Sequence, residues 1–90
     1  MSSTIVFAPS AKRKISSGTL PVFLIDAALA FIKGDLREKP RIVGKPLRGD
    51  LVGTWSAVRG AYRILYRIDD EDQLVTIIDI AHRADVYRPR

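Results

Sequence analysis

The side chains able to do ionic chemistry are gathered by one alternating stretch. In Tyr62-Arg-Ile-Leu-Tyr-Arg-Ile68, the residues Tyr62, Ile64, Tyr66 and Ile68 point one way, and Arg63, Leu65 and Arg67 point the other. Guanidinium groups on one sheet face repel each other unless an anion or a partner's carboxylates sit there, so this face is read as an anion-binding surface. Just ahead, Thr54-Trp-Ser-Ala-Val-Arg59 alternates too. With Val58 turned to the core beside Tyr62 and Ile64, Trp55 and Arg59 share the outer face with Arg63. An aromatic among cations is what stacking on a base and holding its phosphate requires. The assignment stands on register, since a slip of one residue exchanges the two faces. Lys45 and Arg48, in the loop before this strand, complete a set of RNA-binding candidates with Trp55 and Arg59. His82 is the only side chain with an ordinary pKa near neutrality, and it lies beside Arg83.

Charge distribution supports the same partner. The net charge is +5, and four of the ten acids (Asp69, Asp70, Glu71 and Asp72) fall in one turn. Between Arg37 and Arg67, eight basic residues face only Glu38 and Asp50. So concentrated a patch attracts polyphosphates by counterion release, which puts nucleic acid first. No segment pairs that charge with a strongly apolar amphipathic helix, so no membrane partner is expected. The absence of cysteine leaves no disulfide or thiolate chemistry, and a single histidine argues against a histidine metal site; no cofactor is expected. The start MSSTIVFAPSAKRK lacks the charge-then-apolar order of a signal peptide, and no apolar run approaches the roughly 20 residues of a membrane span, so a cytoplasmic location is expected.

The elements that must position these side chains fit one domain over residues 1–90. Thr4-Ile-Val-Phe-Ala8 reads as a strand ended by Pro9. Ser10 is a good N-cap for a short basic helix over Ala11–Ile15, whose Lys12, Arg13 and Lys14 read as a solvated face. Pro21 opens the longest helix, Pro21 to Lys33, largely buried with Phe23 and Phe31 as core aromatics and ended by Gly34. Asp35 to Pro46 reads as an irregular basic connection broken by Pro40 and Pro46. Arg59-Gly60-Ala61 is a tight reversal, and Leu74 to Ile80 is the last strand. The expected class is α+β: two N-terminal helices packed on one face of a mostly antiparallel four-stranded sheet, in the order β-α-α-β-β-β.

Three stretches carry a family resemblance. Gly44-Lys-Pro-Leu-Arg-Gly-Asp-Leu51, Ala61-Tyr-Arg-Ile-Leu-Tyr-Arg-Ile-Asp69 and Ala81-His-Arg-Ala-Asp-Val-Tyr-Arg88, in this order and with this element order, resemble the RelE branch of the RelE/ParE toxin superfamily. The resemblance implies a bacterial type II toxin–antitoxin module. Its toxin is a ribosome-dependent endoribonuclease that cleaves messenger RNA in the A site, and a cognate RelB-like or Phd-like antitoxin neutralises it. DNA would be met only through the antitoxin complex. The ParE-type alternative shares the fold but binds DNA gyrase and needs no catalytic site.

By motif, Arg63 matches the arginine of the family's Tyr-Arg strand, Arg83 the arginine after the last strand, and Tyr87 the near-terminal tyrosine. Metal-free RNA cleavage uses the substrate's 2′-OH as nucleophile. The protein must help remove that proton, stabilise a doubly charged phosphorane and protonate the leaving 5′ oxygen. Arginine serves the second task and, with a pKa above about 12, not the others. Arg63 and Arg83 are therefore assigned to phosphate charge, and Tyr87 to stacking or proton transfer. His82 is either a proton-transfer group or, by parity with Ile78 and Ile80, a core histidine. Asp79 and Asp85 read as salt-bridge partners of these arginines. Some RelE members carry two substrate-facing lysines on the strand that here reads Thr54–Arg59, and the expected outward positions hold Trp55 and Ala57 instead.

Overall fold

Tyr62–Asp69 is the central strand of the computed structural model, which describes residues 3–82, and its alternation is borne out. Tyr62, Ile64 and Tyr66 are buried on the helix side, and Ile68 packs half-buried at the margin of the same core. Each large apolar side chain fully removed from water contributes roughly 1.5–3 kcal/mol, which holds this strand at the middle of the molecule. The element order is β1 (Thr4–Phe7), α1 (Pro9–Ser16), α2 (Val22–Phe31), a π turn (Ile32–Leu36), α3 (Pro40–Val43), β2 (Lys45–Pro46), a 3-10 turn (Gly49–Leu51), β3 (Trp55–Arg59), β4 (Tyr62–Asp69) and β5 (Leu74–His82). The strands lie in the order β1-β5-β4-β3-β2, parallel only between β1 and β5. The sheet therefore has five strands rather than the expected four. The extra one is a two-residue edge strand within the connection read from sequence as irregular.

Two further expectations are corrected in the helical layer. Gly34 does not end the long helix: the chain continues through the π turn and helical Arg37 and Glu38, with Gly34 facing open space. Leu24, Ala28, Ile32 and Leu36 recur every fourth residue and are all buried. The wider π turn keeps the last two on the stripe that an ordinary helix would rotate away. Burying Ile32 and Leu36 outweighs the roughly 1 kcal/mol that glycine costs inside a helix. Phe23 is not a core aromatic; it is 69% exposed beside an equally exposed Val22, and only Leu24 and Ala28 of α2 are fully buried. Phe31 does reach the core margin, tilted against Tyr62 at a centroid distance of 6.4 Å.

α1 lies along the edge of β5 beyond the end of β1, with Ala11 buried in the same core as Leu24 and Ala28 of α2. β1 stops pairing at Phe7↔Ile77, and β5 runs on to His82. That leaves edge carbonyls without a strand. Ser10 is not the N-cap, a position taken by Ala8 with no side-chain bond. Instead the Ser10 hydroxyl donates to the Ile78 carbonyl at 2.6 Å, and the Lys14 ammonium donates to the Ile80 carbonyl at 3.0 Å while pairing with Asp79 at 3.2 Å. Asp79 is thus a salt-bridge partner of Lys14, not of an arginine among the described residues, and Lys14 is no merely solvated residue. The β4–β5 register also shifts between Leu65 and Tyr66, where Leu65 pairs with Asp79 and Tyr66 with Ile77, leaving Ile78 as a bulge. The bulge reverses parity, so Val75 and Ile77 share the helix side with Ile80. Lys14→Met, which leaves the Ile80 carbonyl without its donor, is expected to lower the unfolding free energy by about 1 kcal/mol in urea titrations. An unchanged midpoint would mean that water satisfies this edge equally well.

Candidate nucleic-acid interface

The sheet face away from α2 carries two adjacent rows of side chains. Lys45, Ser56, Leu65 and Asp79 are successive cross-strand partners in one row, and Val58, Arg63 and Ala81 form the next. Arg63 is sunk between Val58 and Ala81, only 7% exposed, and its Nη1 donates to the Ser56 hydroxyl at 3.2 Å. A groove of about 460 Å³ opens over it, with Gly44, Lys45 and Leu47 on one wall, Ser56, Val58 and Arg63 as floor and Arg59 at the end. The nearest acid of the two rows, Asp79, is already engaged by Lys14. Among the described residues, no carboxylate pairs with Lys45, Arg48 or Arg59. The groove is consequently cationic and fits an anion.

The facing expected for β3 is reversed. Val58 pairs with Arg63 and shares its open side, whereas Trp55 pairs with Tyr66, Ala57 with Ile64 and Arg59 with Tyr62, all on the helix side. Directly paired residues share a face, so Trp55 leaves the RNA-facing set. It stacks on Tyr66 at 6.4 Å, with the Arg41 guanidinium 5.9 Å from its own ring centroid. Placing the indole inward buries more apolar area than placing a serine there, and it leaves the Ser56 hydroxyl to meet Arg63. The open positions on this strand are Ser56 and Val58, which are not lysines either. Arg59 starts on the helix side with its guanidinium 4.8 Å from the Phe31 ring centroid, but at the strand's end it still borders the groove. Arg48 is exposed and does not line it. His82 pairs with Tyr62 at the end of β5, on the helix side by register, yet it is exposed and no core histidine. Arg83, Asp85 and Tyr87 lie outside the described residues.

Sequence reasoning passed over Gly44, Tyr66, Ser56 and Arg41. Tyr66 is fully buried, and its hydroxyl donates to the Pro40 carbonyl at 2.6 Å. Burial pushes its phenol up to about 12, so it stays protonated and donating through the ordinary pH range. A Cβ on Gly44 would run into that hydroxyl and lie 2.8 Å from the Ser56 carbonyl oxygen, so this glycine is set by close approach. Arg41 meets Asp70 in a two-pronged pair, Nη1 to Oδ1 at 2.7 Å and Nη2 to Oδ2 at 2.5 Å, tying α3 to the turn after β4. The alternation around Tyr66 marked it as core; its hydroxyl's partner, 26 residues upstream, left no local signal.

The structure is a helix-backed sheet with a basic groove over a sunken arginine, and comparison with known proteins gives the family. Residues 23–87 match the family described as ParE toxin of type II toxin–antitoxin system, parDE. Toxin RelG of Mycobacterium tuberculosis is 49% identical over 85 residues, covering 94% of this chain and 95% of RelG. Toxin RelE of the same organism is 48% identical over 69 residues, covering 77% of this chain and 71% of that toxin. A chain in the crystal structure of the M. tuberculosis toxin–antitoxin complex RelBE2 superposes with a TM-score of 0.86 at 46% identity, over 92% of this chain and 100% of that one. The chain belongs to the RelE/ParE superfamily of type II toxin–antitoxin toxins, in its RelE branch.

The Arg41–Asp70 pair makes a pH prediction. The hydrogen bond from Arg41 holds the Asp70 carboxyl below its ordinary value of 3.8. A carboxyl lowered in the folded state contributes stability that is present above the unfolded value and lost as pH falls through the folded one. Asp70→Asn should therefore be slightly less stable than the parent at neutral pH, with the gap closing below pH 3.8 and shrinking in high salt, since the pair is exposed. Paired thermal melts across pH 2–7 check this; a gap that persists at pH 2 contradicts it.

Proposed function

We propose that this toxin is a ribosome-dependent mRNA endonuclease that promotes attack of the RNA's 2′-OH on the adjacent phosphorus. The observation that carries the reading is Arg63, held by Ser56 at the floor of a cationic groove whose bordering Lys45 and Arg59 have no carboxylate partner among the described residues. In a recess of lowered dielectric, a fixed guanidinium interacts more strongly with a doubly charged phosphorane than a solvated one does, and it needs no reorganisation when that charge develops. The reaction forms the 2′-O–P bond and breaks the P–5′-O bond, so one proton leaves the 2′ oxygen and one reaches the 5′ oxygen. Tyr62 and Tyr66 do not serve as bases, because burial raises both phenols. In this reading His82 and Tyr87 are the proton-transfer candidates, Arg83 adds charge at the phosphate, and Lys45, Arg48 and Arg59 hold flanking RNA. With Ser56 and Val58, and no lysine, on the open face of β3, acid–base chemistry is incomplete without groups of the ribosome and the message. A cognate antitoxin is the expected neutralising partner, supported by the likeness to a chain of the RelBE2 complex.

The test is primer extension on translated mRNA after induction. New 5′ ends within codons are expected, and naked RNA should be cut poorly. Arg63→Ala should lower the cleavage rate by roughly 100- to 1,000-fold, the cost of losing one preorganised donor, with the circular dichroism spectrum unchanged. Arg63→Lys should not restore it, because a point charge replaces a planar fork. Full toxicity of both Arg63→Ala and Arg83→Ala overturns the catalytic assignment. Intact message with failing DNA supercoiling would select a gyrase inhibitor of the ParE kind.

A further inference from the structure

Lys45 is carried by the least supported strand of the sheet. β2 has two residues, paired as Lys45↔Ser56 and Pro46↔Trp55, and Pro46 has no N–H to give to a ladder. Beyond it the Leu47 N–H donates to the Thr54 carbonyl at 2.9 Å. Just before it in the chain stands α3, a single turn. What fixes the height of this segment over the sheet is Tyr66. Its hydroxyl grips the Pro40 carbonyl at the start of α3, and the same oxygen fills the space where a side chain on Gly44 would be. One buried phenol therefore holds the segment before Lys45 at both ends, and Trp55 stacked on its ring keeps that phenol in place. Arg63 needs no such device, because it sits on the central strand and is bonded to Ser56.

We infer that Tyr66 is a positioning residue for Lys45: the Tyr66 hydroxyl, seated under Gly44 and bonded to Pro40, sets the spacing between the Lys45 and Arg63 cations across Ser56. The inference rests on the RNA-cleaving reading of the groove for its consequence, and on geometry alone for its mechanism. Two cations at fixed spacing bind a phosphodiester chain with less ordering cost than one fixed and one wandering cation. Removing the hydroxyl leaves Arg63 where it is and frees the segment that carries Lys45. Its effect on RNA must then pass through Lys45.

The test is a double-mutant cycle of Tyr66→Phe and Lys45→Met. It is read as the Kd of a short single-stranded RNA, made non-cleavable by 2′-deoxy substitution, over a salt series. Lys45→Met is expected to weaken binding about 5- to 10-fold and to reduce the salt slope by about 0.7, one phosphate contact on a single strand. Tyr66→Phe should weaken binding at least threefold in the parent and less than twofold in Lys45→Met. Equal losses in both backgrounds, as general destabilisation would give, overturn the inference, as does no loss in the parent. Gly44→Ala strikes the same contact from the other side and should reproduce the selective loss, which covers poor folding of Tyr66→Phe. Amide order parameters supply a readout without RNA: that of Lys45 should fall in Tyr66→Phe while that of Arg63 holds. If the parent fails to bind RNA yet Lys45 loosens, the function proposal falls and the positioning role stands; if RNA binds and Lys45 stays rigid, the reverse holds.

Discussion

The two-residue reversal at Gly60–Ala61 fixes Arg59 opposite Tyr62, and the site inherits its layout from that one pairing. A loop this short allows a single register, helped by Gly60 at φ +56°, a conformation glycine adopts without strain. Once Arg59 and Tyr62 are partners, Trp55 must lie beside Tyr66 and Val58 beside Arg63. The large ring goes to the core, the small hydroxyl goes to the open face, and Arg63 meets the serine that orients it. A slip of one residue would bury Ser56 against the helices and place the indole over the guanidinium. The core and the groove are two sides of the same pairing.

Holding an arginine at 7% exposure costs desolvation, and the strand bears that cost because both faces of β4 are well supported. Ile64 and Tyr66 anchor the helix side, while Val58 and Ala81 wall the guanidinium on the other. The long acid cluster of the chain is kept away from this face. It sits in the turn between β4 and β5, where Asp70 is occupied by Arg41, and Asp79 is occupied by Lys14 at the sheet's edge. Asp70 and Asp79 are paired outside the groove, and among the described residues no carboxylate pairs with Lys45 or Arg59 at its border. That segregation makes a protein of modest net charge attractive to a polyanion at one place.

The strands and the long helix were legible in the sequence because their signals are local. Period-two alternation in Tyr62–Ile68 and the apolar density of α2 each report on neighbours a few residues away. The facing of β3 was also legible in principle, since a two-residue loop obliges Arg59 and Tyr62 to share a face; the expectation that Val58 turns inward weighed its apolar side chain above the turn geometry. Other features carried no local mark. β2 is too short to alternate, the bulge at Ile78 shows only as two adjacent isoleucines between Thr76 and Asp79, and Ser10 looks like an N-cap although its hydroxyl serves a carbonyl 68 residues on. Gly34 reads as a stop because the sequence does not show that Ile32 and Leu36 have a core to enter. Alternation placed Arg63 on the face opposite the core, whereas the assignments of Arg83 and Tyr87, and the catalytic part of that of Arg63, came from family wording.

The β3 positions facing the groove hold a serine and a valine, so a groove that needs a second cation must draw it from another strand. β2 offers Lys45 directly across from Ser56, one strand further out than a β3 lysine would stand. Moving a cation outward lengthens its reach and weakens its support, since an edge strand of two residues has almost no ladder to restrain it. A buried phenol that bonds the preceding turn and excludes any side chain at position 44 restores the restraint from beneath. Tyr66 and Gly44 are therefore understood together with Lys45. A lysine on β2 can act like one on a central strand only where something other than the sheet holds it still, and in this chain the core itself supplies that hold.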